Sequence, residues 1–324
     1  MGLKPLLVVL CVSLVLTSCH AARADGSYPV RPVRLVVQGA AGSGPDVLAR
    51  IAVDHLAKRW QRPIVVVNRA GAGGLMALQM AAAAEHDGYT LFVPSITTFV
   101  ILPEMHEKLP ADPDRDFVAI GLLAQTPMVI AASRALPVST LAELTAFARK
   151  DPGAIFYAAN NRGSLPHLAA ELWRDRVGAP MTFVPYAGAA AALQDILGGR
   201  VSVIVESVGA LSGAIKADRI RPLAVASAAR LPTYPDLPTV SETTPGFTAV
   251  GWLALSAPRD TPRGVIRKVA DDLGSVLSES ALLKRFEELG AVAGSMTPEQ
   301  AQQFIRAEQK LWRPFVRRVG LTSQ

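Results

Sequence analysis

Beyond residue 25 the chain alternates short β-branched runs with longer stretches in which apolar residues recur at helical spacing. Residues 33–37, 64–67 and 91–93 read as buried strands. Between the first two, residues 46–60 carry Leu48, Ile51, Ala52 and Leu56 along one helical face, and residues 75–84 predict a second helix. The alternation resumes with strands at 128–132, 155–158, 183–184, 201–205 and 223–226, separated by helices at 141–150, 165–176, 189–197 and 208–216. From Thr261 onward the pattern is helical throughout, and Thr297 with Pro298 supplies the N-cap and first residue of a helix. A strand–helix–strand rhythm predicts a parallel sheet covered on both faces. The length of 324 residues suits two such α/β lobes.

Composition changes this picture at the N-terminus only. Half of the residues are apolar and 19% are charged. A membrane span needs roughly 18 unbroken apolar residues. Residues 5–17 are too few, and residues 118–132 are interrupted by Gln125, Thr126 and Pro127, so a polytopic membrane protein is excluded. Lys4, the apolar run 5–17 and Ala22-Arg23-Ala24 instead have the order of a signal peptide over residues 1–24. Leu16-Thr17-Ser18-Cys19 competes with that cleavage site, because it resembles a bacterial lipobox whose Cys19 would be lipidated. Both readings export the chain to the periplasm. The two cysteines are Cys11 and Cys19, so cleavage before Asp25 leaves none for disulfides, thiolate metal sites or thiol catalysis. Removing Lys4 and Arg23 leaves 31 of the 33 basic residues against 27 acidic ones, a balance of +4. Without Lys/Arg runs this does not point to nucleic acid.

Candidate chemistry lies in glycine-rich loops that follow strands and open helices. Gly39-Ala40-Ala41-Gly42-Ser43-Gly44-Pro45-Asp46, Gly71-Ala72-Gly73-Gly74 and Asn160-Asn161-Arg162-Gly163-Ser164 all have this placement. Glycine admits close backbone approach, and a helix N-terminus offers unpaired N–H groups with a positive dipole end. Three such loops predict a crevice for a small anion. Nucleotide fingerprints fail: the first loop reads G-x-x-G-x-G, Met76 stands where the second would need glycine, and no phosphate-binding G-x-x-x-x-G-K-[ST] occurs. There is no G-x-S-x-G elbow and no H-E-x-x-H. His55, His86, His106 and His167 form no metal-ligand spacing, so neither a cofactor nor a metal is expected. Ser164 and His167 stand three apart at a helix start, where Ser164 serves as a cap or as a ligand hydrogen-bonding group. Glu206, at the end of an apolar strand, is either a binding-site acid or a solvated strand terminus.

Tyr28-Pro29-Val30-Arg31-Pro32-Val33-Arg34-Leu35-Val36-Val37, followed by the first glycine loop and Asp46-Val47-Leu48-Ala49-Arg50, resembles the opening of the Bug receptors, the extracytoplasmic solute-binding proteins of tripartite tricarboxylate transporters. The match does not stop there. It continues through Val65-Val66-Val67-Asn68-Arg69-Ala70-Gly71-Ala72-Gly73-Gly74 and Asp87-Gly88-Tyr89-Thr90-Leu91. Gly163-Ser164, His167-Leu168-Ala169, Val184-Pro185-Tyr186-Ala187-Gly188, Arg221-Pro222-Leu223-Ala224-Val225 and Leu237-Pro238-Thr239-Val240 extend it over nearly the whole exported chain.

The resemblance implies a type II periplasmic-binding-protein fold: two α/β lobes joined by two crossing strands, with a central ligand cleft. Lobe one would hold residues 25–124 and 251–324, and lobe two residues 125–250. The implied contacts are Ser43, Gly44, Pro45 and Asp46 in the first loop, Gly73 and Gly74 in the second, and Ser95 and Thr97 after the third strand. Asn160, Gly163, Ser164, His167, Tyr186 and Glu206 would come from the second lobe. The ligand class is a small organic acid: a mono- or dicarboxylate, an amino acid or an aromatic acid, delivered to membrane permease subunits. A ligand-dependent sensor for a membrane kinase would use the same closed form, and a secreted hydrolase is disfavoured by the missing motifs. The chain departs from the family pattern at Gln38-Gly39, where Pro-Phe is common, and at Gly42-Ser43, where two glycines are common. Glu206 stands where Asp is usual, and Arg162 where a small or polar residue is. Arg162 either enters the cleft to pair with a second carboxylate or remains a solvated loop charge.

Overall fold

A computed structural model describes residues 28–320; the expected signal segment and Cys19 lie outside them. Strand β1 (Val33–Val37) leads into helix α1 (Gly44–Trp60), followed by β2 (Ile64–Asn68), α2 (Leu75–Ala82) and β3 (Thr90–Val93). A π-helical turn, Thr97–Ile101, precedes the long strand β4 (Phe117–Ser133). The chain continues as α3 (Leu141–Lys150), β5 (Phe156–Asn160), α4 (Leu165–Val177), β6 (Thr182–Tyr186), α5 (Ala189–Leu197), β7 (Val203–Ser207), α6 (Val208–Lys216) and β8 (Ile220–Val225). It returns through β9 (Val250–Pro258) to α7 (Arg263–Leu277), α8 (Ser280–Glu288), the two-residue strand β10 (Val292–Ala293) and α9 (Pro298–Arg318).

The expected α/β character holds, with two differences. The outer strands are parallel, β2 with β1 with β3 and β7 with β5 with β6, but the centre is antiparallel, because β9 runs against both β3 and β4. The sheet is therefore mixed. The C-terminal stretch is also not wholly helical: Val292 and Ala293 pair with Gln125 and Ala124 of β4. β9 has no alternating pattern, since eight of its nine residues are buried. A continuous apolar run of this kind cannot be separated from a buried helix by periodicity.

β4 organises the molecule. Its residues 117–127 pair with β9, from Phe117 opposite Pro258 to Pro127 opposite Val250. Its residues 128–132 pair with β7, and residues 129–133 with β8 on the other edge. The change of partner falls at Pro127, which has no N–H to give to a ladder. Register shifts lie on both sides, between Leu122 and Ala124 and between Ile130 and Ala131. The strands define two halves. β4 leaves the first parallel to β1–β3 and enters the second antiparallel to β5–β7, so both parallel sets end facing the crossing.

Helices seal the faces. One core cluster runs across both halves and includes the fully buried Phe92, Tyr157, Trp173, Trp252 and Trp312, and separate clusters back each sheet half. At Gly251 a Cβ would collide with Thr126 Oγ1, so glycine lets the crossing strands approach closely. The halves also meet backbone to backbone: a Cβ on Gly290, after α8, would lie 2.5 Å from Gly209 Cα in α6. Behind the crossing, Trp252 Nε1 donates to Glu308 Oε2 of α9 at 3.1 Å. Among the described residues no helix is long and apolar enough to cross a membrane.

Burial pushes the Glu308 carboxyl up to about 7, from an ordinary value of 4.5. A raised folded-state pKa favours folding below the unfolded value, and that contribution is lost as pH rises through the folded one. Glu308→Gln is therefore expected to raise the melting temperature at pH 8 relative to the parent and to leave it unchanged at pH 4. Thermal denaturation across that range checks it.

Candidate functional site

Two loops at the sheet crossing share one construction. After β1 the chain passes Gln38 and reaches Ser43-Gly44-Pro45-Asp46; after Asn160 it reaches Ser164-Leu165-Pro166-His167. In both, a serine with extended backbone (φ −69°) is the N-cap and proline stands in the first turn. The residue three after the serine then turns back to accept the N–H four residues before it. Asp46 Oδ2 accepts from Gly42 N at 2.8 Å, and His167 Nδ1 accepts from Gly163 N at 3.2 Å.

Each brace is tied further. Asp46 is 1% exposed, and its carboxylate also accepts Arg50 Nε at 3.0 Å and Asn68 Nδ2 at 2.8 Å. Asn68 donates as well to Gly39 O at 3.0 Å, which joins the ends of β1 and β2. Burial alone would raise the Asp46 pKa, but the bonds from Arg50, Gly42 and Asn68 outweigh it and hold the carboxyl below its ordinary range. His167 is 1% exposed and lies 4.3 Å, centroid to centroid, from the Phe183 ring. Burial pushes its pKa down to about 4, so the ring is neutral and the Nδ1 contact puts its proton on Nε2.

Asp46, His167 and Tyr186, expected as direct contacts, all make hydrogen bonds within the chain. The oxygens of Asp46 and the Nδ1 of His167 face their own loops. The Tyr186 hydroxyl donates to Asp195 Oδ2 of α5 at 2.7 Å, and burial and Asp195 together push its pKa up to about 12. Arg162 is exposed, with its guanidinium 6.0 Å from the Phe183 ring centroid.

Other expected residues converge. Gly74 (φ +103°) touches all three loops of the first half: a Cβ there would collide with Thr98 and lie 2.8 Å from Gln38 Oε1. Gly73 is also left-handed, at φ +64°. Ser95 Oγ accepts from Thr97 N at 3.1 Å, and Thr98 Oγ1 accepts from Ser95 N at 3.0 Å, a local turn that opens the π-helical segment. Nothing lies within 4 Å of a Cβ placed on Gly44, so the first turn of α1 is open at that point. In the second half, the β5–β7 register sets Asn160 beside Glu206, which is 6% exposed and accepts from Ser207 N at 2.7 Å.

Three of these side chains carry buried oxygens without a partner: Gln38 Oε1, Ser43 Oγ and Asn160 Oδ1. Buried polar atoms are nearly always bonded, and these three, of ten such exceptions among the described residues, lie at strand ends or in the loops that follow them. Gln38 was not among the expected contacts. Its only signal in the sequence was its departure from the family's Pro-Phe. The depth of the cleft follows from β4: Ser95 bridges Leu253, which pairs with Ala124, whereas Glu206 pairs with Val129. Five residues of strand separate those levels, roughly 16 Å before side chains are subtracted.

Two concavities lie elsewhere. One of 620 Å³ is lined by His86, Arg115, Asp116, Arg259 and Asp260, and one of 480 Å³ by Thr140, Pro222, Tyr234 and Pro238 among others. The charges in the first already pair, Arg115 with Asp116 at 2.7 Å and His86 with Asp260 at 3.4 Å. The first has no buried unpaired side-chain atom in its lining, and the second has one, the Tyr234 hydroxyl. Among the described residues no cluster of His, Cys, Asp and Glu could hold a metal ion.

Two α/β halves on crossing strands, with helix N-termini and glycine loops at their junction, define a solute-binding receptor. The chain belongs to the tripartite tricarboxylate transporter receptor family, whose model matches residues 48–321. It is 31% identical to BugT of Bordetella pertussis over 322 residues, 99% of each chain. A UPF0065 protein of Agrobacterium vitis, from the TAR-I ttuE-ttuC' intergenic region, is 33% identical over 293 residues, 89% of this chain and 84% of its own. Among solved structures, an R. palustris protein with adipate superposes with a TM-score of 0.79 at 31% identity, covering 90% of this chain and 98% of that one. The periplasmic binding protein BugD gives 0.75 at 30% identity, covering 92% and 100%. MatC from Rhodopseudomonas palustris, with bound malate, gives 0.74 at 29% identity, covering 89% and 100%. The Bug resemblance and the periplasmic-binding fold expected from the sequence are thereby established.

Asp46→Ala leaves Gly42 N–H, Asn68 and Arg50 without their shared acceptor. It is expected to lower stability by about 1–3 kcal/mol, measured by urea denaturation. Burial holds the His167 imidazole down at about 4, below its ordinary 6.5. A depressed folded pKa stabilises above the unfolded value and is lost as pH falls through the folded one. The stability carried by His167 should therefore disappear between about pH 6.5 and pH 4, and His167→Gln should flatten that part of the stability curve.

Proposed function

We propose that this chain is a periplasmic receptor that closes on a small organic carboxylate at the sheet crossing and delivers it to a tripartite tricarboxylate-type membrane permease. The observation that carries the reading is the set of buried unpaired oxygens of Gln38, Ser43 and Asn160, placed where the loops of both halves end. Relatives hold adipate and malate, which supports a carboxylate as the class. The halves acting as lobes are residues 25–124 with 251–324, and residues 125–250.

The binding logic is neutralisation by fixed dipoles. The carboxylate meets the first-turn N–H groups of α1 and α4, whose axes add partial positive charge. Ser43, Gly44, Ser95, Thr97, Gly73, Gly74, Asn160, Ser164 and Glu206 line the contact. Asp46, His167, Gly163 and Tyr186 act behind them by fixing the loops. No ion pair is needed to hold the anion, and closure removes water, which strengthens each charge-assisted bond. Micromolar affinity, about 8 kcal/mol, lies within reach of a few such bonds and permits release to a permease. Pivoting takes place where β4 and β9 change partners, the kind of element-terminal hinge that domain closure uses. No step of this cycle makes or breaks a covalent bond in the solute.

Mass spectrometry of the small molecules released on denaturing the purified protein, with a thermal-shift series of mono- and dicarboxylates, tests the reading. At least one acid is expected to raise the melting temperature, because binding to the native state alone must stabilise it. Failure of every acid, with no acid released, would refute it. Ser164→Ala should cost about 1 kcal/mol of stability as a lost cap and also weaken binding of the acid that shifts the parent. Lower stability with undiminished affinity would reduce Ser164 to a cap alone.

A further inference from the structure

Along α9 the buried positions are Ala301, Ile305, Gln309, Trp312, Phe315 and Val316, and Gln309 is the one polar residue among them. A buried amide is tolerated where its groups are hydrogen-bonded. The Gln309 side chain meets that demand with two acceptors from outside its own helix. Its Nε2 donates to the Phe99 carbonyl at 3.1 Å and to Asp114 Oδ1 at 2.7 Å. One turn further along the same face, Arg313 Nη2 reaches the same pair, at 3.3 Å from the Phe99 carbonyl and 3.0 Å from Asp114 Oδ2.

Phe99 accepts donors from another element for a reason written in the sequence. Pro103 stands four residues on and has no N–H, so the α-helical bond to the Phe99 carbonyl cannot form. The backbone there is π-helical, over Thr97–Ile101. On its other side this turn carries the first-half wall of the cleft. Phe99 N donates to Ser95 O at 3.0 Å, and Thr98 Oγ1 accepts from Ser95 N at 3.0 Å. A Cβ on Gly74 would collide with Thr98, and one on Gly73 would lie 3.7 Å from Leu102 Cδ1. Ser95, Thr97, Gly73 and Gly74 therefore all rest on a turn that α9 grips from behind.

We infer, on the basis of the receptor reading above, that Gln309 is a positioning residue for solute binding. Its amide holds the Thr97–Ile101 turn through the Phe99 carbonyl, at the height where Ser95, Thr97 and the second glycine loop meet the solute. Asp114 is the second anchor. It lies in the turn Pro113–Asp116 immediately before β4, so the amide sets the cleft wall against the strand that joins the halves.

Binding and stability measured on variants of the whole protein test this. The probe is whichever of adipate, L-malate, succinate, L-glutamate and benzoate raises the melting temperature of the parent most. Gln309→Met keeps the side-chain length and removes both donors. It is expected to weaken the probe by about three- to tenfold, the equilibrium equivalent of one hydrogen bond. Amide hydrogen exchange over residues 95–102 of the unliganded protein should also become faster. Pairing Gln309→Glu with Asp114→Asn separates positioning from support. That pair restores the bond between the two side chains with donor and acceptor exchanged, but turns an acceptor towards the Phe99 carbonyl. The melting temperature should recover relative to Gln309→Glu alone, while the affinity stays low. Affinity that recovers together with the melting temperature, or that is undiminished in Gln309→Met, would overturn this inference and leave the receptor reading standing. Silence from every acid with the parent, with none released on denaturation, would overturn the receptor reading and this inference with it.

Discussion

Everything in the molecule hangs on one backbone ladder. β4 is a single 17-residue strand paired on both edges in both halves, so the halves cannot separate or rotate without disturbing hydrogen bonds that lie in the core. The ladder is weakest at Pro127, where a donor is missing by chemistry, and beside the register shifts at Leu122–Ala124 and Ile130–Ala131. Motion is thus confined to a few residues. The direction of β4 also fixes which ends of the parallel strands face each other. The cleft is a consequence of strand polarity before it is a consequence of any side chain.

On that frame the two serine-capped loops repeat the same solution with different chemistry. An aspartate braces the first and a neutral histidine the second, each accepting the N–H four residues back. The aspartate keeps its charge because Arg50 and Asn68 reach it. The histidine loses its charge because burial, together with Arg162 and Arg174 nearby, outweighs the attraction of Glu171. Both outcomes tie the loop backbone to a side chain of the helix that it opens. Rigid donors need no reorganisation when an anion arrives, which is the source of their strength.

Much of this was legible in the sequence, and the exceptions have physical reasons. Most helices follow from periodicity, because they have one wet and one dry side, and the short buried strands β1, β3 and β7 follow from brief apolar runs. β9 and the first two-thirds of β4 do not, since burial on both faces erases alternation, and the Gln125-Thr126-Pro127 break that argued against a membrane span also disguised the strand's continuity. Glycine loops located the cleft because glycine is required there by backbone geometry: Gly74 has no room for a Cβ between Gln38 and Thr98. The direction of a polar side chain is a different matter. Nothing in Asp46, His167 or Tyr186 as letters tells whether they face a solute or their own loop, and the answer depends on partners as distant as Asn68 and Asp195. Gln38 was visible only as an oddity until its oxygen was found buried and alone.

The division between Asp46 and His167 on one side and Gln38 and Asn160 on the other has an evolutionary consequence. The atoms that stiffen the loops and the atoms left unpaired in the cleft belong to different residues. A substitution at Gln38 or Asn160 leaves both loop braces in place, so a duplicated copy of this gene can acquire a new cargo through a handful of changes while its scaffold stays under unchanged selection. A lineage built this way diversifies by exchanging its cleft oxygens, and its folding never has to be reinvented.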